Sequence, residues 1–192
     1  MSSGRSALRG ALAAAIGILF AGHAPGAEPR ACAGEPALPQ LDFWLGEWVV
    51  CAQGEPVGRN RVSKILDGCA VTEEWLARDG TRGSGLFYYS ASEALWKQVW
   101  VTDVALHPGG LKEKHLVTRF SDGGVSFQGE ISLPDGRRIL DRTSLRPGAK
   151  GSVSQRIEIS RDGGDSWTTT FDAEYRPAPA VAASSPDAAV CS

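Results

Sequence analysis

Two short stretches carry side chains that could do chemistry inside a closed fold. In Val71-Thr72-Glu73-Glu74-Trp75, strand alternation puts Val71, Glu73 and Trp75 on one face. In Trp96-Lys97-Gln98-Val99-Trp100 it does the same for Trp96, Gln98 and Trp100. If both faces line a lumen, tryptophan walls surround one carboxylate and one carboxamide, the composition of a small-molecule pocket. Tyr89 could add a hydroxyl, and Arg142 or Gln155 a partner for Glu73. A buried glutamate must be paired or protonated. Glu73 would then orient a polar group of a ligand or act as a general acid or base. The bland alternative makes Glu73 a solvated strand residue or part of a structural salt bridge at a barrel end.

Other chemistries find little support. The chain has no Gly-x-Ser-x-Gly elbow, and three histidines offer no Ser-His-Asp set. Glu73 and Glu74 point to opposite faces, so they cannot form a glycosidase pair. No C-x-x-C spacing or Cys/His cluster suggests zinc. A formal net charge of −2 gives no electrostatic case for nucleic acid or an anionic membrane.

The candidate strands sit in a chain of alternating runs and turns. Strand-like segments are Trp48 to Ala52, Gly58 to Leu66, Cys69 to Ala77, Gly85 to Ser90, Leu95 to Thr102, Leu111 to Phe120, Val125 to Leu133, Arg137 to Leu145, Ser152 to Ser160 and Trp167 to Arg176. Short turn signals such as Asp67-Gly68, Asp79-Gly80, Asp122-Gly123 and Asp162-Gly163 separate them. No helix-length apolar period occurs. A meander of about ten strands most simply closes into an antiparallel up-and-down barrel, which also removes open edges. A two-sheet sandwich is the alternative.

Outside this unit, Arg5 and Arg9 precede an apolar run, Ala11 to Gly22, and then Ala24-Pro25-Gly26. That run is short for a membrane span and suits a secretory signal over residues 1–26. A retained anchor is the alternative. Export predicts a periplasmic or secreted protein, with no stable membrane insertion once the signal is removed. Residues 27–40 read as a spacer, 41–176 as the barrel, and 177–192 as an Ala/Pro/Ser-rich tail without structure unless Cys191 pins it. In an oxidising compartment the four cysteines can pair in three ways. Their positions favour Cys51 with Cys69 inside the barrel and Cys32 with Cys191 in the tails. Free buried thiols at Cys51 and Cys69 are the alternative.

Leu41-Asp42-Phe43-Trp44-Leu45-Gly46-Glu47-Trp48 contains Gly-x-Trp, resembling the opening signature of lipocalin-like barrels. The resemblance implies structural roles: Trp44, Gly46 and Trp48 close the barrel floor, and Arg176 of the last strand stacks on Trp48. A wider pattern includes Ile65-Leu66-Asp67-Gly68-Cys69, Glu73-Glu74-Trp75, Gly83, Tyr89, Trp96-x-Gln98-x-Trp100, Asp162-Gly163-Gly164-x-x-Trp167, Phe171-Asp172 and Tyr175. It resembles a widespread family of bacterial proteins of unknown function (the DUF1579 type), for which a lipocalin-like barrel is expected. The chain departs from that pattern at Gly85 and Phe87, where members usually carry serine and asparagine. A polar site using those positions would be altered here. The opening motif is also similar to that of haem-binding nitrobindin barrels, which ligate iron through a histidine. Neither His107, in a Pro-Gly-Gly loop, nor His115, between Lys114 and Leu116, stands in a matching context, so no haem or other cofactor is expected. Ser160 to Trp167 resembles the Asp-box hairpin of sialidases, which implies that Asp162 braces the turn over Trp167.

The expected protein is a monomeric or weakly dimeric barrel that binds a small apolar or amphipathic molecule through Glu73, Trp75, Tyr89, Trp96, Gln98, Trp100, Arg142 and Gln155. One alternative is a small isomerase or cyclase using Glu73. Another is a filled barrel that binds a protein partner on its outside.

Overall fold

The computed structural model describes residues 32–103, 111–133, 135–179 and 187–192. The signal-like segment and His107 lie outside the described residues. Ten strands form a closed, all-antiparallel barrel in which each pairs with its sequence neighbours and the last pairs with the first. They are β1 (Gly46–Ala52), β2 (Glu55–Ile65), β3 (Ala70–Ala77), β4 (Arg82–Ser90), β5 (Leu95–Thr102), β6 (Leu111–Arg119), β7 (Val125–Ser132), β8 (Arg138–Pro147), β9 (Val153–Ser160) and β10 (Thr168–Pro177). No helix among the described residues is long and apolar enough to cross a membrane.

Short polar side chains brace the hairpins. Asp79, Asp122 and Asp135 each accept the backbone N–H of the residue two positions on, stabilising turns that glycine then completes. Asp162 does more. It accepts the Ser160 and Ser166 hydroxyls and the Ser166 N–H, while the Trp167 indole donates to the Gly164 carbonyl at 3.0 Å. Those hydrogen bonds, led by the Ser166 hydroxyl, hold its carboxyl well below the usual carboxylate range.

A 3₁₀ helix, Leu38–Trp44, plugs one end of the barrel. Leu41 and Trp44 are fully buried, and Trp44 meets Phe87 and Tyr175 edge to face. Gly46 then opens β1 at φ 144°, where L side chains are disfavoured. Trp48 follows, its indole N–H donating 3.1 Å to the Trp44 carbonyl and its ring against Tyr175. Val50, Val62, Val71, Phe87, Leu116, Phe127, Leu145 and Val153 fill the space above the plug, so the lower half of the lumen is a solid apolar core.

Three expectations about the ends of the chain are corrected. Arg176 does not stack on Trp48, because it pairs in register with Val49, whose side chain faces outward, whereas Trp48 faces in. The Arg176 guanidinium instead donates to the Val190 and Ser192 carbonyls and to Glu174. The disulfides are Cys32–Cys69 and Cys51–Cys191, so each ties a terminal segment to the barrel. All four thiols are paired. Consequently Cys32 and the residues up to the plug are tied to the barrel, and the final residues dock as a short helix, α1 (Ala188–Cys191). That helix covers Val49 on the outside of β1, with Asp187 bound to Arg59 at 2.5 Å.

Trp48→Ala removes the ring that joins plug to barrel. It should lower unfolding free energy by roughly 3–5 kcal/mol, as large core truncations do. Urea denaturation followed by tryptophan fluorescence would measure this, and a near-neutral change would show that the floor does not depend on Trp48.

Candidate functional site

Above the apolar floor the lumen opens into a cavity of about 260 Å³. Its depth follows from register. In β5, Trp96 sits lowest, fully buried, with its indole donating to the plug carbonyl of Ala37 at 2.9 Å. Gln98 lies one level higher, opposite Lys114 of β6, and Trp100 higher still, opposite Lys112. In β3 the same climb runs from Val71 through Glu73 to Trp75. Trp75, Trp100 and Phe171 form the aromatic upper wall, Trp75 meeting Phe171 edge to face.

Two positions without side chains make this wall possible. A Cβ at Gly83 would come within 2.3 Å of the Trp100 ring, so that ring lies over bare backbone. A Cβ at Gly85 would reach within 2.9 Å of Glu73 Oε2. The bareness of Gly85 leaves one Glu73 oxygen facing backbone. Phe87 joins the core between Trp44 and Phe127.

Polar groups gather on opposite sides of the cavity. On one side, Asn60 of β2 donates its amide to Glu73 Oε1 at 2.6 Å, and the Tyr175 hydroxyl of β10 donates to Gln155 Oε1 at 2.7 Å. On the other, Asp141 of β8 accepts Lys112 Nζ at 2.6 Å and pairs with Lys114 Nζ. Lys114 also donates to Thr143 Oγ1 at 2.6 Å. The lysines reach from β6 across β7 because the β7 residue aligned with Asp141 is Gly129. Gln98, 4% exposed, has no hydrogen-bond partner for its Oε1. Such an orphaned acceptor costs free energy.

Burial dominates the electrostatics. It raises the Glu73 carboxyl to about 7, against the opposing pull of the Asn60 hydrogen bond and the Lys114 charge. It lowers the Lys114 ammonium to about 8, opposed by Asp141 and assisted by Lys112. Burial also pushes Asp141 upward, but the two ammoniums outweigh it and hold that carboxyl below its ordinary value. Desolvation carries the Tyr175 phenol far upward, so it remains a neutral donor.

The structure brings Glu73, Trp75, Gln98, Trp100 and Gln155 together around the cavity. Trp96 and Tyr89, which pack edge to face near the plug, lie away from it. Arg142 also lies away: it projects outward, stacks on Trp167 at 3.9 Å and pairs with Glu158. His115 is exposed on the outer face of β6. Sequence reasoning did not find Asn60, Lys112, Lys114, Asp141, Thr143 or Tyr175. The available signal was the alternation of Lys112, Lys114 and Leu116 in β6, matched by Asp141, Thr143 and Leu145 in β8. Larger hollows are open grooves on the outer surface, including one of about 830 Å³ beside the Cys51–Cys191 disulfide. Comparison of the sequence with family models and with curated proteins finds no match.

The Glu73 value sets a stability test. Folding raises the proton affinity of this carboxyl from 4.5 to about 7, so its contribution is full below pH 4.5 and is lost as pH rises through 7. Relative to wild type, Glu73→Gln should therefore gain up to roughly 3 kcal/mol of stability between pH 4 and pH 8. Urea titrations at the two pH values measure the difference. A pH-independent difference would place Glu73 in contact with solvent.

Proposed function

We propose that the protein is an exported binding barrel that holds a small amphipathic molecule in its upper lumen. The observation that carries this reading is a cavity of about 260 Å³ walled by the rings of Trp75, Trp100 and Phe171 and lined by the polar side chains of Glu73, Gln98 and Lys114. Roughly nine waters at about 30 Å³ each would fill the space, so the ligand is small. Burying on the order of 150 Å² of apolar surface against the rings contributes about 4 kcal/mol. Alone that gives roughly millimolar affinity, so useful binding needs the polar groups as well.

The acid–base alternative draws on a separate observation: Glu73 and Lys114, both shifted toward neutrality, feel each other's charge across the lumen. In that reading Glu73 would take a proton from a bound substrate while Lys114 steadied the developing negative charge. The filled-barrel alternative suits the lower half of the lumen alone. The resemblance to the DUF1579 type and the export signal fit a periplasmic or secreted carrier and remain part of this proposal.

Native mass spectrometry of protein purified from its own host should show a bound small molecule, released on unfolding. Trp100→Ala should reduce that occupancy by about tenfold or more, given the area lost. Glu73→Gln should shift affinity in a binder and abolish turnover in an enzyme. A ligand-free protein that also fails to bind small aromatic compounds would contradict the proposal.

A further inference from the structure

The lysine cluster carries an excess of charge. Asp141 is the partner of both Lys112 and Lys114, so two ammoniums share one carboxylate. Side-chain exposures are 1% for Asp141, 2% for Lys114 and 15% for Lys112, so Lys114 is the ammonium most withdrawn from solvent. A buried uncompensated charge is costly, so a negative group inside the lumen is favoured beside Lys114. The groups that face this space are few. Lys112 and Lys114 come from β6, Asp141 from β8, Tyr175 from β10 and Glu73 from β3. Tyr175 stays neutral, and β5 contributes Gln98 with no charge. Glu73 is therefore the only ionisable group among these that can supply the missing negative charge.

Lys114 also has capacity to spare. Its ammonium has three donors, of which Asp141 and Thr143 engage two. The Gln98 carboxamide, level with Lys114 and unpartnered at its oxygen, can turn either its oxygen or its amide toward a ligand.

We propose that the upper lumen selects a small monoanion with a flat apolar body, which docks on Lys114 beside Gln98 and displaces Glu73 as the counter-charge, so that binding takes up a proton at Glu73. This rests on the lumen being a binding site and names the class of ligand. The rings of Trp75, Trp100 and Phe171 hold the apolar body, and the lysine pair holds the charge. Anion and ionised Glu73 compete for the same positive charge, so affinity is highest where Glu73 is already protonated.

Benzoate, benzyl alcohol and benzylamine fit the volume and differ in charge, and Trp75 and Trp100 fluorescence reports their binding. At pH 6, benzoate should bind at least tenfold more tightly than either of the others. Its affinity should fall several-fold between pH 6 and pH 7.5, over which benzoate stays ionised and Lys114, at about 8, stays mostly protonated. Calorimetry at pH 7, where Glu73 is about half ionised and Lys114 mostly protonated, should show net proton uptake in buffers of different ionisation enthalpy. Glu73→Gln should bind benzoate with a flatter pH profile and less proton uptake than wild type over this range, and Lys114→Met should lose the preference for the anion. Wild-type comparisons alone decide the matter if Lys114→Met does not fold. Equal affinity for benzoate and benzyl alcohol would overturn the charge selection and leave lumen binding intact. Benzoate binding without proton uptake would overturn the role of Glu73. Failure of all three probes to bind would count against both this inference and the lumen-binding proposal.

Discussion

The structure depends on the joint between Trp44, Trp48 and Tyr175. Trp44 closes the floor as part of the plug, and Trp48 ties β1 to it through the 3.1 Å hydrogen bond to the Trp44 carbonyl. Tyr175 sits edge to face against both rings. The hydroxyl of the same tyrosine enters the polar network of the cavity through Gln155, with Asn60 3.4 Å away. One side chain thus marks the level at which packing stops and chemistry begins. Below it the lumen is filled to core density, and above it water or a ligand must be accommodated.

That division explains why the polar groups lie where they do. A barrel of ten strands encloses more space than the side chains of one plug can fill. The remaining volume is lined by groups whose desolvation is offset only by each other: Glu73 by Asn60, and Asp141 by two lysines. Gly83 and Gly85 keep the space open where larger side chains would close it. Stability is given up for a cavity, which is the usual character of a binding site.

Much of the architecture was legible in the sequence. Asp-Gly turns and period-two alternation located all ten strands, because both signals are local. Alternation also identified the inward faces of β3 and β5 correctly. It could not give height along the barrel axis, which depends on register against the plug, so Trp96 and Tyr89 were grouped with residues one or two levels above them. The phase of β8 was ambiguous, since Ile139 and Leu140 are adjacent and both apolar. Choosing the wrong one brings Arg142 inward and sends Asp141 out. Lys112 and Lys114 were invisible for a related reason: a lysine on a strand normally points to water. The disulfides depend on where the terminal segments run, a long-range property that cysteine spacing does not encode.

The account turns on Glu73 being the internal counter-charge of a buried lysine pair. Selective carbon-13 labelling of glutamate carboxyls, with Glu73 assigned by comparison with Glu73→Gln, allows its titration to be followed directly by NMR. The account predicts a midpoint near 7 in the free protein, moving upward when Lys114→Met removes the facing ammonium. A midpoint in the ordinary range for glutamate, about 4.3, and insensitive to Lys114, would contradict it.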